Sequence, residues 1–237
     1  MENLKKKPVV GGHRGHQSPV RENTVENFRL LLGKGIPYVE IDVQLTKDDQ
    51  VVIFHDARLE DTTPLSGTVR QYTLAQLRGS FPINTAQECI AWCRENGMAI
   101  AFELKTGGLS PAERLLTAEK LCKLIGQYRF YDSCFVFGKD HKVLSAIKTW
   151  DPEIPLGLIP PADPEQALAL MQELQAVVYL DYLEGLTQEL VARLQKAGYL
   201  VDGSVVNTRE GLQRALELGV DMIESDFPEK ILDLLET

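Results

Sequence analysis

Short apolar, β-branched runs alternate along this chain with stretches of helical period, and that alternation limits the fold more than any other feature. The runs are Pro8-Val9-Val10, ending at Gly11-Gly12, then Tyr38 to Leu45, Val51 to His55, Met98 to Leu104 and Ser133 to Phe137. Ile154 to Ile159, Ala176 to Leu180, Tyr199 to Val206 and Asp221 to Ser225 follow. Helical patterns lie between most of them: Glu22 to Lys34, Thr85 to Asn96, Pro111 to Tyr128, Pro164 to Leu174, Thr187 to Ala197 and Thr208 to Leu218. Asn23/Thr24, Ser110-Pro111 and Asp163-Pro164 read as helix starts. Only Thr46 to Gln50 separates the second run from the third, too little chain for a parallel crossover, so that pair is expected to form an antiparallel hairpin. Eight strands remain, the number that closes a (β/α)8 barrel. The expected fold is therefore α/β, a TIM-type barrel spanning residues 1–237 as a single domain. Residues 57–82 form a small turn-rich insertion after the second barrel strand and its hairpin partner. An open doubly wound sheet is the alternative, but no Gly-x-Gly-x-x-Gly or Walker-type loop accompanies the first strand.

Two strands carry charge where a barrel interior should lie. In Val39-Glu40-Ile41-Asp42-Val43-Gln44 the apolar residues point one way, towards helices, and Glu40, Asp42 and Gln44 the other. Phe102-Glu103-Leu104-Lys105 repeats the pattern. Buried carboxylates that converge repel one another unless a cation sits among them. Glu40, Asp42 and Glu103 together make a hard oxygen set suited to one divalent cation, Mg2+ or Ca2+. The bland alternative is a sheet wet on one face, where such alternation is routine.

Two of the four histidines follow apolar strands directly: His13 after Val9-Val10-Gly11-Gly12, and His55 after Val51-Val52-Ile53-Phe54. Barrel chemistry sits at strand C-termini, and a histidine pair can serve as general acid and base near neutral pH. Arg14 and Lys105 add cations for an anionic group, Arg14 as a fork and Lys105 as a point charge. Phosphoryl chemistry needs such a set. The alternative for Arg14 is a salt bridge to Glu22 or to a carboxylate of the cluster.

The net charge of −9, with no basic stripe beyond Lys5-Lys6-Lys7, excludes the footprint of a nucleic-acid binder. Four cysteines in 237 residues form no disulfide framework. Cys89 and Cys93 share a helix face and read as core. There is no apolar signal region and no membrane-spanning run, so a cytoplasmic protein without stable membrane insertion is expected. The sequence leaves a homo-oligomer open. Trp92 and Trp150 are expected in packing roles, His141 at a solvated helix start, and Asp226 at the barrel mouth, as ligand or turn cap.

These pieces resemble the glycerophosphodiester phosphodiesterase family. The matching segments run through nearly the whole chain: His13-Arg14-Gly15, Glu22-Asn23-Thr24, Glu40-Ile41-Asp42-Val43, Thr46-x-Asp48, Val51-Val52, His55-Asp56, Leu59, Thr62-Thr63, Glu103-Leu104-Lys105, Val206-Asn207 and Gly219 to Pro228. The resemblance implies a barrel with an insertion after His55-Asp56. It implies a divalent cation on Glu40, Asp42 and Glu103, His13 and His55 as acid and base, and Arg14 and Lys105 on the phosphate. It implies hydrolysis of a small-molecule glycerophosphodiester to sn-glycerol 3-phosphate and an alcohol.

Departures from the family pattern cluster away from that centre. Arg21 stands where Pro is usual, Asp61 where Arg is common, and Asp49 replaces a hairpin Gly. Phe137-Gly138-Lys139 replaces a Ser-Phe pair, and Ser204 stands where a Trp would line the cleft. The pocket wall is thereby expected to be wider or more polar. Two rivals share the fold: a lysophospholipase D-type phosphodiesterase, with Phe81-Pro82-Ile83 as a membrane contact, and a non-catalytic barrel that binds a phosphorylated ligand.

Overall fold

In the computed structural model, residues 7–161 and 163–236 are described; Lys5 and Lys6 lie outside them. Nine strands form one sheet: β1 Val9–His13, β2 Tyr38–Leu45, β3 Val51–Ile53, β4 Ala99–Leu104, β5 Cys134–Gly138, β6 Gly157–Leu158, β7 Val178–Asp181, β8 Leu200–Gly203 and β9 Met222–Ser225. Eight of them run parallel in the order β5-β4-β2-β1-β9-β8-β7-β6, with β3 attached to β2. A parallel bridge between Val136 and Leu156 joins the two ends, so the barrel is almost closed. Helices at Ala86–Asn96, Pro111–Tyr128, His141–Trp150, Pro164–Glu173, Gln188–Lys196, Arg209–Leu218 and Pro228–Glu236 surround it. Thr85, Ser110, Thr187 and Thr208 cap four of them, each accepting from a backbone N–H in the first turn.

The inward and outward faces of β2 explain the alternation in its sequence. Val39, Ile41 and Val43 pack outward with Phe28, Ile90 and Leu121 in the layer between barrel and helices. The inward face is stratified. At the bottom Tyr38, Ala101 and Val178 fill the barrel, and Phe137 and Leu180 of the same cluster reach up to the cavity wall, while Glu40, Asp42 and Gln44 lie above Tyr38. Tyr38 claims its space through Gly11: a Cβ there would lie 2.1 Å from the Tyr38 ring. Any side chain at position 11 would displace the plug beneath the polar layer.

The hairpin pairs Val43 with Ile53, Gln44 with Val52 and Leu45 with Val51, antiparallel. Asp49 takes φ +58° at its turn, the left-handed conformation that Asp tolerates. β3 ends at Ile53, earlier than expected, and the chain then turns to deliver His55 to the barrel mouth. Residues 57–82 contain two short 3-10 turns and a helix at Leu74–Arg78. Their apolar side chains form a small cluster with Val52 and Phe54 that includes Leu59, Val69, Leu77, Phe81 and Ile83. Phe81 and Ile83 are buried, so they do not offer the membrane contact that the lysophospholipase D-type rival would use. Arg21 pins this segment: its guanidinium lies 4.8 Å from the Phe81 ring centre and 5.5 Å from that of Phe54. It also donates to the Thr62 carbonyl at 3.1 Å.

The first crossover departs from expectation. The long helix expected over 22–34 is one turn, Val25–Phe28, followed by a 3-10 turn at Arg29–Leu31. Asn23 is held at φ +55° by bonds to Asp42, so the helix starts only after it, and Gly33 and Gly35 at positive φ stop its continuation. The four cysteines are buried and free. Trp92 packs against the core, whereas Trp150 is exposed, contrary to its expected packing role. Among the described residues no helix is long and apolar enough to cross a membrane.

Candidate active site

The polar layer at the C-terminal mouth gathers the residues singled out in the sequence. Glu40 and Asp42 on β2 and Glu103 on β4 each offer an oxygen, and these oxygens lie within 4.8 Å of one another. Parallel pairing sets this up, since Asp42 stands opposite Glu103 in the register. Lys105 Nζ lies 2.9 Å from both Asp42 Oδ1 and Glu103 Oε2. Arg14 Nε lies 3.5 Å from Asp42 Oδ2, its NH1 lies 3.3 Å from Glu22, and its backbone N–H donates to Glu40 Oε2 at 3.1 Å. Both salt-bridge alternatives for Arg14 are thus present. Asn23 Nδ2 donates to Asp42 Oδ2 at 2.8 Å, fixing that carboxylate from the side.

The two buried carboxyls of β2 are driven apart by their surroundings. Burial, then the charges of Asp42 and Glu103, push Glu40 well above the usual range. Burial also works against the Asp42 anion, but Lys105, His55 and Arg14 more than offset it and hold Asp42 low. Glu40 Oε1 is buried without a hydrogen-bond partner. A carboxylate oxygen left bare beside two further carboxylates is the donor set that a hard divalent cation completes, so these residues fit such an ion.

Each histidine is held by its own acid. His13 Nδ1 lies 2.7 Å from Asp226 Oδ1, and Asp226 Oδ2 accepts from Asn207 Nδ2 at 2.6 Å. His55 Nδ1 lies 2.8 Å from Asp56 Oδ1, and Asp56 Oδ2 accepts from Thr62 Oγ1 at 2.7 Å. A carboxylate on Nδ1 selects the tautomer protonated there and leaves Nε2 for chemistry. The His13 hydrogen bond holds Asp226 below the usual carboxylate range. Burial works against the Asp56 anion, and its bonds from His55 and Thr62 outweigh it, so Asp56 also stays low. Gln44, the third inward residue of β2, donates to the carbonyls of Phe54 at 2.8 Å and Asp56 at 2.9 Å. It thereby fixes the loop that carries His55. Asp226→Asn is expected to lower turnover roughly 10–1,000-fold at constant fold, because an amide can stabilise the wrong tautomer of His13. Wild-type turnover with an unchanged pH profile would remove Asp226 from this role.

His13, Arg14, Glu40, His55, Glu103 and Lys105 line one cavity of about 230 Å3. Lys139 and Ser204, the changed wall positions, line it too. His16 points elsewhere, 3.3 Å from Glu229 and edge-on to Phe227. His141 starts a helix as expected, but its ring is half-buried and its Nε2 lies 3.0 Å from the Ile159 carbonyl.

Sequence reasoning assigned no role to two acids at this site, one lining the cavity and one buried behind it. Asp202 on β8 and Glu224 on β9 are buried, with the Tyr38 hydroxyl 3.3 Å from Asp202 Oδ2 and the Ser204 hydroxyl bonded to Asp202 Oδ1. The alternation that exposed Glu40 and Asp42 also marks Asp202 and Glu224, each flanked by an apolar residue that points outward. Burial pushes Asp202 up to about 6 from 3.8. A carboxyl raised on folding contributes stability that is full below pH 4 and is lost as pH climbs through 6. Protonation of this carboxyl and folding are thereby linked. Asp202→Asn is therefore expected to shrink the fall in Tm between pH 4.5 and pH 8. An identical fall in both proteins would contradict this.

Comparison with known proteins agrees with this geometry. Residues 13–230 match the glycerophosphoryl diester phosphodiesterase family model. A glycerophosphodiester phosphodiesterase of Caldanaerobacter subterraneus subsp. tengcongensis is 27% identical over 97% of this chain and 98% of its own. Another, of Bacillus altitudinis, is also 27% identical, over 96% and 98%. Among solved structures, a phosphodiesterase of Oleispira antarctica in complex with the product sn-glycerol-3-phosphate superposes with a TM-score of 0.89. It is 26% identical, with 98% of each chain covered.

Proposed function

The chain belongs to the glycerophosphoryl diester phosphodiesterase family, and from that premise we propose that it hydrolyses glycerophosphodiesters to sn-glycerol 3-phosphate and an alcohol. The observation that carries the reading is the pairing of two carboxylate-held histidines with a buried carboxylate triad around one cavity. Arg14 and Lys105 receive the phosphoryl oxygens, Arg14 through its fork and Lys105 as a point charge. One of His13 and His55 takes the proton from the attacking oxygen, which is water, or else the glycerol 2-hydroxyl, whose cyclic phosphate product water then opens to sn-glycerol 3-phosphate. The other gives a proton to the leaving alcohol as its bond to phosphorus breaks. Asp226 and Asp56 hold the two rings and stabilise each imidazolium as it forms. Glu40, Asp42 and Glu103 would hold one divalent cation, Mg2+ or Ca2+, which when bound supplies positive charge against the charge developing on the phosphoryl group.

The test is release of sn-glycerol 3-phosphate from glycerophosphocholine, glycerophosphoethanolamine, glycerophosphoglycerol and glycerophosphoinositol. Release from at least one supports the reading, and the ranking of headgroups reports on the wall that carries Lys139 and Ser204. No release from any of them, with folded protein and added Mg2+ or Ca2+, would overturn it.

A further inference from the structure

Glu224 lines the active cavity, is 5% exposed and leaves Oε1 buried without a hydrogen-bond partner. None of the roles assigned above uses it. A carboxyl oxygen so placed forfeits a hydrogen bond unless a ligand supplies the donor. Its position is rigid. The Glu224 backbone N–H donates to Ser204 Oγ at 2.9 Å, and its carbonyl accepts from the Val206 N–H at 2.8 Å. Ser204 is itself tied to Asp202.

The charge pattern decides which part of a substrate belongs there. Glu224, with Asp202 behind it on the neighbouring strand and bonded to Ser204, makes the β8–β9 side of the cavity acidic, which disfavours a phosphate there. Arg14 and Lys105 make the histidine side cationic. Phe137, Ile159 and Leu180 supply an apolar wall for carbon. A glycerophosphodiester then lies with its phosphate at Arg14 and Lys105 and its free glycerol end towards Glu224. The 2-hydroxyl is vicinal to the ester and stays beside the histidines. The terminal hydroxyl is one carbon further out.

We infer that Glu224 is the residue that reads the terminal hydroxyl of the substrate's glycerol, with Oε1 accepting its O–H. This rests on the diesterase reading and deepens it: the site selects a glycerol ester over a shorter diol ester. Glu224 is a specificity residue, and it takes no part in proton transfer.

The experiment compares glycerophosphocholine with 2-hydroxyethyl phosphocholine, which keeps the vicinal hydroxyl and lacks the terminal hydroxymethyl. Wild type is expected to favour the glycerol ester by about 100-fold in kcat/KM, since a site built around a hydroxyl rejects the analogue without it. In Glu224→Ala the ratio is expected to fall towards one through a rise in KM for the glycerol ester. Glu224→Gln, which keeps an acceptor oxygen, is expected to restore most of the preference. Equal rates for the two substrates in wild type would overturn the inference, whatever the variants do. So would equal losses on both substrates in a folded Glu224→Ala, the sign of a structural or metal-holding role. If wild type hydrolyses neither ester, the proposed activity fails separately. Calorimetric binding of sn-glycerol 3-phosphate against 2-hydroxyethyl phosphate then decides the inference by itself: tighter glycerol 3-phosphate binding supports it and equal binding overturns it.

Discussion

Replacing His13 or His55 with alanine is expected to lower kcat by roughly two to four orders of magnitude while KM changes little. Each imidazole is anchored through Nδ1 to an acid, Asp226 or Asp56, so its free nitrogen is presented to the cavity at small entropic cost. Neither ring plugs the core: both are half-buried at the barrel mouth. The variants should therefore keep wild-type circular dichroism and Tm within about 0.5 kcal/mol of stability. The double variant should be scarcely slower than either single one, because an acid and a base acting in one reaction fail as a unit. Near-normal turnover in either single variant would remove that histidine from proton transfer.

The second large effect couples activity and stability with opposite signs. Glu40 is 2% exposed, lacks a donor to Oε1 and is raised well above its ordinary range by burial and by Asp42 and Glu103. Its folded value exceeds its unfolded one, so its contribution is favourable below the unfolded value and is lost as pH rises. At pH 8, without a divalent ion, Glu40 is a liability. Glu40→Gln removes the repulsion and keeps the shape. The metal-free variant should gain about 1–3 kcal/mol at pH 8, a rise of about 2–4 °C per kcal/mol in a domain of this size. The same change should lower turnover about 1,000-fold, since several kcal/mol of charge stabilisation go with the cation. Added Mg2+ or Ca2+ should raise the wild-type Tm and leave that of Glu40→Gln in place. A variant both less stable than wild type and fully active would contradict the assignment of Glu40.

The alternation within β2 made three inward residues legible, and all three proved to be placed by one strand: Glu40 and Asp42 at the cluster, Gln44 under the His55 loop. Helix caps were equally legible, because Thr85, Ser110, Thr187 and Thr208 act locally. Partners distant in sequence were not. Asp226 meets His13 only because β9 pairs with β1, and nothing near position 226 announces a histidine 213 residues away. Asp202 and Glu224 carried the same alternation signal as Glu40, but each is the single acid of its strand, so no paired carboxylates marked it out. The first crossover was misread for a different reason. Asn23 and Thr24 have helix-start chemistry, but Asn23 is committed to Asp42, and a tertiary bond overrode the helical period of 22–34.

The most direct test of the whole site is sn-glycerol 3-phosphate release by the wild-type chain after exhaustive treatment with EDTA, followed by graded return of Mg2+ or Ca2+. Glu40, Asp42 and Glu103 as the cation site, with His13 and His55 around the same cavity, require that release stop in EDTA and return with one of the two ions at saturating concentration. Undiminished release from protein shown to be metal-free would contradict a metal-dependent reaction at this carboxylate cluster.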